Sequence, residues 1–582
     1  MSKKISNGVV VSPGIRIGKA YVFDKDRIVI PRYKINASKV EDEIKRFEEA
    51  IEKTKSEIEK IQLQIAHSLS KDLASIFTSH LMVLEDPLVY EKTKDIIRKK
   101  KRNAEWVIND ISLELINSLD KIEDEYLKER IIDVSDIHKR LIGNLQKSFT
   151  NNLSGIDKEV IVFSSDLTPS DTAMMNKNYI LAFVTDKGGK TSHTAIMARA
   201  LEIPAIVATM DGTSKVKNGD TVIVDAVHGE IIINPTKSEI NEYKQYKETF
   251  LEQELQLAQL TSLPSKTLDS KDIFIYANIE IPEEMEIIKE HGAQGIGLFR
   301  SEFLFLDKSL PDEERQFQEY KSVVEFFKPL PVTIRTLDVG GDKIFAHNLP
   351  YKERNPFLGC RAIRFSLENI KLFKVQLRAI LRASHYGNVK LMFPMITTAE
   401  ELIKARSIVD EIMEDFKKKG IPFDEKIPVG IMLEVPSAII NADILSKYSD
   451  FFSVGTNDLV QYTLAVDRIS EKIAYLYNPL NLSILRLLKQ VVKTSNKTKT
   501  PISICGEIAG EPQYTMVLLG LGFKQLSMSP TYMYQVKKII RSVTIKECEE
   551  LAETLLKLED TNEIELMVRN ICRDKFQEIF LA

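Results

Sequence analysis

Gly295-Ile296-Gly297-Leu298-Phe299-Arg300-Ser301-Glu302-Phe303-Leu304 reads as a short β-strand that runs into an arginine and then into a turn. The pattern returns along the second half of the chain. Strand-like runs fall at 273–279, 295–300, 332–338, 390–395, 429–435, 451–455, 501–505 and 525–528, and the segments between them are long enough for helices. Strands alternating with helices eight times over ~250 residues or more outline a (β/α)8 barrel of the TIM type. That fold keeps its chemistry at the C-terminal ends of the strands. Polar residues follow the strands here: Arg300, Arg335, Glu434, Asn457, Asp458 and Cys505.

Working outward, residues 236–265 are polar and helical and end at Leu263-Pro264-Ser265, which predicts a helical linker and hinge leading into a barrel over 266–582. Residues 149–235 predict a compact α/β domain, with short β-rich runs at 160–163, 180–184, 205–207, 221–225 and 230–233. The His228-Gly229 step joins the last two runs as a hairpin. Residues 8–23, GVVVSPGIRIGKAYVF, alternate like a strand around a Pro-Gly turn, so 1–34 is expected to complete the same sheet. Between them, 35–148 reads as an inserted helical subdomain. Ser38 and Glu41 form a capping box, and Val40, Ile44, Phe47, Ile51, Ile58 and Ile61 recur at helical spacing. Further stripes run Leu73, Ile76, Phe77, Leu81, Leu84 up to Asp86-Pro87, then Val107 to Leu119, then Val134 to Leu145. The expected fold is multidomain α/β: a compact α/β domain with an inserted α-helical subdomain, followed by the barrel.

Composition narrows the function. The chain has 582 residues, 43% apolar and 28% charged, which excludes a disordered or fibrous protein. Lys plus Arg is 80 and Asp plus Glu is 84, a net charge of −4, which argues against nucleic acid or an anionic membrane as main partner. The N-terminus has no apolar signal region, no run approaches a membrane span of ~20 residues, and the cysteines at 360, 505, 548 and 572 form no CxxC pair. A cytoplasmic setting is the expectation.

Gly188-Gly189-Lys190-Thr191-Ser192-His193-Thr194-Ala195-Ile196-Met197-Ala198-Arg199 follows a strand and opens a helix. His193 falls in the first helical turn, where free amides and the helix dipole favour anions and disfavour imidazolium. A neutral imidazole beside an anion site is suited to attack a phosphoryl group and then carry it. The plainer alternative is a polar cap. The stretch GGKTSHTAIMARALEIPAIV closely resembles the phosphohistidine signature of the phosphoenolpyruvate-utilising enzymes. Its TSHTAI form is similar to the enzyme I family of the bacterial sugar phosphotransferase system, the phosphoenolpyruvate–protein phosphotransferases. The resemblance implies that His193 is phosphorylated on Nε2, which makes 149–235 a phosphohistidine domain. Asp166-Leu167-Thr168-Pro169-Ser170-Asp171-Thr172 also resembles the family and places Thr172 beside the imidazole.

In the barrel, Arg300 and Arg335 end neighbouring strands, where two guanidinium forks can grip a phosphate and a carboxylate; each could equally pair with Glu302 or Asp338. Glu434 and Asp458 end successive strands with no His or Cys beside them, a donor pair suited to a hard cation or to capping a helix. Cys505 is either a small core residue or an acid–base thiol. These motifs resemble the phosphoenolpyruvate-binding barrel of enzyme I. On that resemblance Arg300, Arg335, Asn457 and Arg468 bind phosphoenolpyruvate, with Lys343, Arg361 and Asp458 lining the site. Glu434 and Asp458 hold Mg2+, and Cys505 protonates the enolate carbon to give pyruvate. Phe299, Ser301 and Cys360 depart from the family pattern without removing a catalytic group.

The resemblance further implies that the helical subdomain docks HPr, the small histidine-bearing carrier protein. Segment 66–90, with Asp72, Glu85 and Asp86, is the candidate face; the alternative is a packing spacer. A homodimer through the barrel domain is also implied. Two rival functions fit less well. A phosphoenolpyruvate synthase or pyruvate phosphate dikinase needs a large ATP-grasp domain, and the ~150 residues before the histidine domain are too few and too helical. A non-catalytic regulatory scaffold should have lost His193, an arginine or a carboxylate, and none is lost.

Overall fold

The computed structural model describes residues 3–5, 8–23, 30–68, 81, 84, 87–120, 125–146, 156–167, 171, 179–188, 198, 203–279, 284–305, 310–339, 355–468 and 473–580. The chain forms two compact units, Met1–Glu252 and Gln253–Leu581.

The first unit is built on an eight-stranded sheet in the order β1-β8-β7-β3-β4-β5-β6-β2. Its strands are β1 (Lys3–Ile5), β2 (Val9–Ser12), β3 (Ile15–Phe23), β4 (Val160–Ser164), β5 (Ile180–Thr185), β6 (Ala205–Val207), β7 (Thr221–Asp225) and β8 (Glu230–Ile233). The Pro-Gly step expected inside 8–23 splits that run into β2 and β3. Gly14 sits at φ +138, and a Cβ there would come within 2.7 Å of Pro204, so no other residue fits the corner. β3 lies parallel to β4, in register from Lys19 opposite Val160 to Phe23 opposite Ser164. Strand alternation splits the core in two. Ile161 and Phe163 join Ala182, Val184, Val222 and Val224 on one face. Val162 and Phe183 join Phe47, Ile51, Ile108 and Leu141 of the helices on the other.

Between β3 and β4 the chain forms helices Val40–Ser68, Pro87–Lys100, Ala104–Asp120 and Glu125–Gln146. The helix Pro87–Lys100 has no counterpart among the apolar stripes read from the sequence. Proline suits a first helical turn because its missing N–H has no partner there anyway. The stripe's buried residues, Thr93 and Ile97, are hidden in a lysine-rich surround.

Arg46 ties the helices together. Its guanidinium meets Glu43 and Glu105, each at 2.6 Å, and donates to the Leu145 carbonyl at 3.2 Å. Glu43 in turn accepts from the Ala104 N–H that starts the next helix, at 2.7 Å. Burial would raise the pKa of Glu105, but Arg46 and Asn103 outweigh it and hold the carboxyl below its ordinary 4.5. The ionised form therefore stabilises the fold above pH 4.5, and that contribution is lost as pH falls through the depressed value. Glu105→Gln is expected to cost about 2 kcal/mol at pH 7, less than a wholly buried pair because Arg46 is partly exposed. Urea melts of the two proteins should converge in acid.

The second unit is a closed barrel of parallel strands: β9 (Phe274–Ile279), β10 (Ile296–Arg300), β11 (Pro331–Arg335), β12 (Asn388–Phe393), β13 (Val429–Leu433), β14 (Phe452–Val454), β15 (Ile502–Ile504) and β16 (Gln525–Met528). It closes where β16 pairs β9, Gln525 opposite Phe274 through Met528 opposite Ala277. The expected runs end two or three residues too late at three strands: β11, β12 and β13 stop at residues 335, 393 and 433. The apolar residues beyond them, such as Leu337 and Ile396, are buried in loops at the mouth. Phe299, Leu391, Phe393, Ile431 and Leu433 face the surrounding helices, while Leu298, Met392, Met432, Phe451 and Cys505 form a separate cluster inside.

The expected linker is the helix Lys237–Ala258 followed by a 3-10 turn, Gln259–Ser262. Lys537 donates to the Thr261 carbonyl at 2.8 Å and Arg541 to that of Pro264 at 2.6 Å, fastening the end of this segment to the barrel. No helix among the described residues is long and apolar enough to cross a membrane.

Candidate active site

Parallel pairing sets Arg300 beside Arg335, so two cations leave neighbouring strand ends together. Arg335 is 8% exposed. Its guanidinium pairs with Glu302 at 3.0 Å and with Asp338 at 3.0 Å. Arg361, on the loop before helix Ala362–Glu368, meets the other oxygen of Asp338 at 2.8 Å and Asp458 at 3.5 Å. Tyr462 accepts from Arg361 at 3.2 Å and donates its own proton to the Phe357 carbonyl. Burial disfavours the charge on both arginines, yet the carboxylates around them raise their pKa values and keep them cationic. The charge of Arg300 acts on Asp338 and Cys505.

Glu434 follows β13 and is 1% exposed, its Oε1 accepting from the Met395 N–H at 2.6 Å. Burial first, then the charges of Asp338 and Asp458, push its carboxyl well above the usual range. Asp338 goes the other way: burial opposes its charge, but Arg335 and Arg361 prevail and hold it low. Asp338, Glu434 and Asp458 each offer an oxygen within 4.8 Å of the others. Three hard oxygen donors with no nitrogen or sulfur among them, one of them a carboxyl whose charge is disfavoured by burial and by its acidic neighbours, are a donor set that fits a divalent cation of the Mg2+ kind. The sequence paired Glu434 with Asp458; Asp338 as third member was missed. The alternatives left open for Arg335 merge, since it pairs with both Glu302 and Asp338 while standing at the mouth.

Cys505 follows β15 and faces the barrel interior, 3% exposed. Burial is the main cause that pushes its thiol up to about 11. Its carbonyl accepts from Asn278 at 3.1 Å, and Asn278 is held in turn by Ser527 at 2.6 Å. Gly506 follows because a Cβ there would sit 1.7 Å from Thr456 Oγ1. That contact brings the Cys505 loop against the first turn of helix Thr456–Leu464, which carries Asn457 and Asp458. Asn457 and Glu507 lock the two loops, Asn457 donating at 2.8 Å and accepting from the Glu507 N–H at 3.0 Å. Arg468 is exposed on the loop after that helix, and its charge acts on Tyr477.

Of the remaining expected residues, His193, Thr172 and Lys343 lie outside the described residues, as do Asp72, Glu85 and Asp86. Before the histidine segment, Asp186 accepts from Thr209 Oγ1 at 3.0 Å, from the Thr213 N–H at 3.1 Å and from the Thr213 hydroxyl. These bonds fix the end of β5 from which that segment departs. His138 is half-buried, and desolvation pushes its imidazole down to about 4, so it is neutral at pH 7. The departures from the family pattern stand apart from the carboxylates: Phe299 packs edge-on against Phe303 and Tyr320, Ser301 is wholly buried, and Cys360 meets Glu368 at 3.2 Å.

Comparison with known proteins covers nearly the whole chain. The family described as PEP-utilising enzyme, PEP-binding domain, matches residues 254–545. The N-terminal domain of PEP-utilising enzymes matches 7–130 and their mobile domain 156–229. A phosphoenolpyruvate-protein phosphotransferase of Priestia megaterium is 42% identical, covering 97% of this chain and 98% of its own. Those of Haemophilus influenzae and Buchnera aphidicola are 43% and 44% identical, covering 97% and 96% of this chain and 98% of their own. With all three domains matched in order and near-complete coverage on both sides, the chain belongs to the phosphoenolpyruvate-protein phosphotransferase family of PEP-utilising enzymes.

Proposed function

We propose that this chain takes the phosphoryl group of phosphoenolpyruvate onto Nε2 of His193 and passes it to a histidine of the carrier protein HPr, releasing pyruvate, as the first general step of the sugar phosphotransferase system. The observation that carries this is the mouth of the barrel, where Arg300, Arg335 and Arg361 converge on Asp338, Glu434 and Asp458. Enclosed cations at a low-dielectric site suit a substrate that bears both phosphate and carboxylate. Arg300, Arg335, Asn457 and Arg468 bind phosphoenolpyruvate, and Lys343 and Arg361 line the same site. Glu434 and Asp458, with Asp338 beside them, would hold Mg2+, which when bound neutralises phosphate charge.

His193 Nε2 forms a bond to phosphorus as the bond to the enol oxygen breaks, and the arginines stabilise the loose, charge-rich transition state. Thr172 orients the imidazole. The electron pair leaves with enolpyruvate, and Cys505 gives its proton to the methylene carbon, forming pyruvate. A thiol pushed up to about 11 is protonated throughout the neutral range, which suits a donor and not a nucleophile. The histidine and the barrel belong to different compact units, and the reading makes the histidine domain the moving part, with 236–265 as its hinge. The subdomain over 35–148 is the docking surface for HPr, and the barrel unit is the dimerisation surface of a cytoplasmic homodimer.

Incubation with 32P-labelled phosphoenolpyruvate and Mg2+ tests this. The expected result is one acid-labile label per chain, acquired without nucleotide, abolished by EDTA, restored by Mg2+ and discharged by HPr. Labelling from ATP would instead indicate a dikinase, and no labelling a scaffold.

A further inference from the structure

We infer that Gln376, on the helix Ile370–Ser384 outside the barrel, is a positioning residue for phosphoenolpyruvate binding, acting through Arg335 and Asp338. The inference rests on the assignment of the barrel mouth above and adds a residue that touches neither substrate nor metal.

Gln376 is 2% exposed, and its amide is fully used. Nε2 donates to Ser301 Oγ at 3.0 Å and to the Tyr320 hydroxyl at 3.1 Å, while Oε1 accepts from the Leu337 N–H at 3.0 Å. The two hydroxyls send their own protons onward, Ser301 to the Arg335 carbonyl at 2.9 Å and Tyr320 to Gln316 Oε1 at 3.3 Å. Gln316 is anchored on the Pro311 carbonyl at 3.0 Å. The opposite orientation of the Gln376 amide would set an N–H against the Leu337 N–H, so the network fixes which way it points. A network satisfied in one orientation only is rigid.

What it holds is the turn that leaves β11. The Thr336 N–H goes to the Met392 carbonyl at 3.0 Å, that of Leu337 to Gln376, and that of Asp338 to Glu302 at 2.9 Å. Arg335 precedes these three residues and Asp338 ends them, so Gln376 grips the backbone between the cation and the carboxylate that pair at 3.0 Å. Through Ser301 it also grips β10 just after Arg300 and just before Glu302. One amide outside the barrel therefore sets the spacing of two adjoining strand ends, each delivering an arginine and an acid to the mouth. A small displacement of such groups weakens binding of a substrate that must meet them at a fixed spacing.

Gln376→Leu and Ser301→Ala test this in the full chain. Ser301→Ala deletes one oxygen and is the variant to rely on should the leucine variant fold poorly. The expected result is a kcat/KM for labelling from phosphoenolpyruvate about tenfold lower in either variant, mainly as a higher KM, with the double variant no worse than the poorer single one. Back-transfer of label from phosphorylated HPr to His193, which does not use the barrel mouth, should keep its wild-type rate. Unchanged KM values, additive losses, or an equal loss in back-transfer would overturn the role given to Gln376. A wild-type chain that takes no label from phosphoenolpyruvate would instead overturn the assignment of the mouth itself.

Discussion

Replacing His193 with alanine is expected to abolish labelling by phosphoenolpyruvate, pyruvate release and charging of HPr together, a loss of at least about 10^4-fold. The three fall together because a single nitrogen is acceptor in the first transfer and donor in the second. A hydroxyl cannot share the role, because serine and threonine phosphates are low-energy esters that would not discharge to a histidine. The sequence before His193, a Gly-Gly step followed by Thr191 and Ser192, predicts a helix start, where amides and dipole would disfavour imidazolium and leave a lone pair for phosphorus. The variant should still bind phosphoenolpyruvate with wild-type affinity in calorimetry, because the barrel that binds it is a separate compact unit. Acid-labile label persisting in the alanine variant would move the acceptor elsewhere, and loss of substrate affinity would contradict the division of labour between the units.

The barrel was legible because its information is local. Each strand is a short apolar run closed by a polar residue, and the parallel order follows from the helices between. The overrun at residues 336–338, 394–395 and 434–435 has a simple cause: apolar loop residues at the mouth are buried as deeply as strand residues, and periodicity alone cannot separate them. Pro87 misled in the same way, marking the end of one stripe and also opening the next helix. Which side chains meet was less legible. Asp338, Glu434 and Asp458 stand on loops far apart in sequence, and only the register of the closed barrel brings their oxygens within 4.8 Å. Asp338 was visible as a partner for an arginine, three residues on from Arg335, but nothing local marked it as a neighbour of Glu434. Gln376 had no signal at all, since a glutamine on an amphipathic helix is ordinarily a solvated residue.

Arg335→Met should be the most damaging change in the barrel. The methionine fills similar volume but leaves Glu302 and Asp338 without a guanidinium each contacted at 3.0 Å, and Glu434 with Arg361 but without Arg335 to offset its burial. Breaking a buried pair by deleting one partner costs about 3–5 kcal/mol, and each 1.36 kcal/mol lost from transition-state binding is tenfold in rate. A fall of about 10^3-fold in kcat/KM for phosphoenolpyruvate, with a barrel about 3 kcal/mol less stable, is therefore expected. The stability loss has a definite pH dependence. In the wild-type chain Asp338 is held below its ordinary 3.8, so its charge stabilises the fold above that pH and the contribution fades as pH falls through the lowered value. In the variant the pKa of Asp338 rises, and mild acid, by protonating it, removes the repulsion that the lost cation had balanced. The stability gap between the two proteins should thus narrow from pH 8 to pH 5 in denaturant melts. Arg335→Lys separates charge from shape: one ammonium supplies the charge but not the planar fork that reaches two carboxylates at once. It should recover most of the stability and little of the phosphoenolpyruvate affinity. Equal recovery of both would mean that Arg335 acts only as a counter-ion and that the substrate is gripped elsewhere.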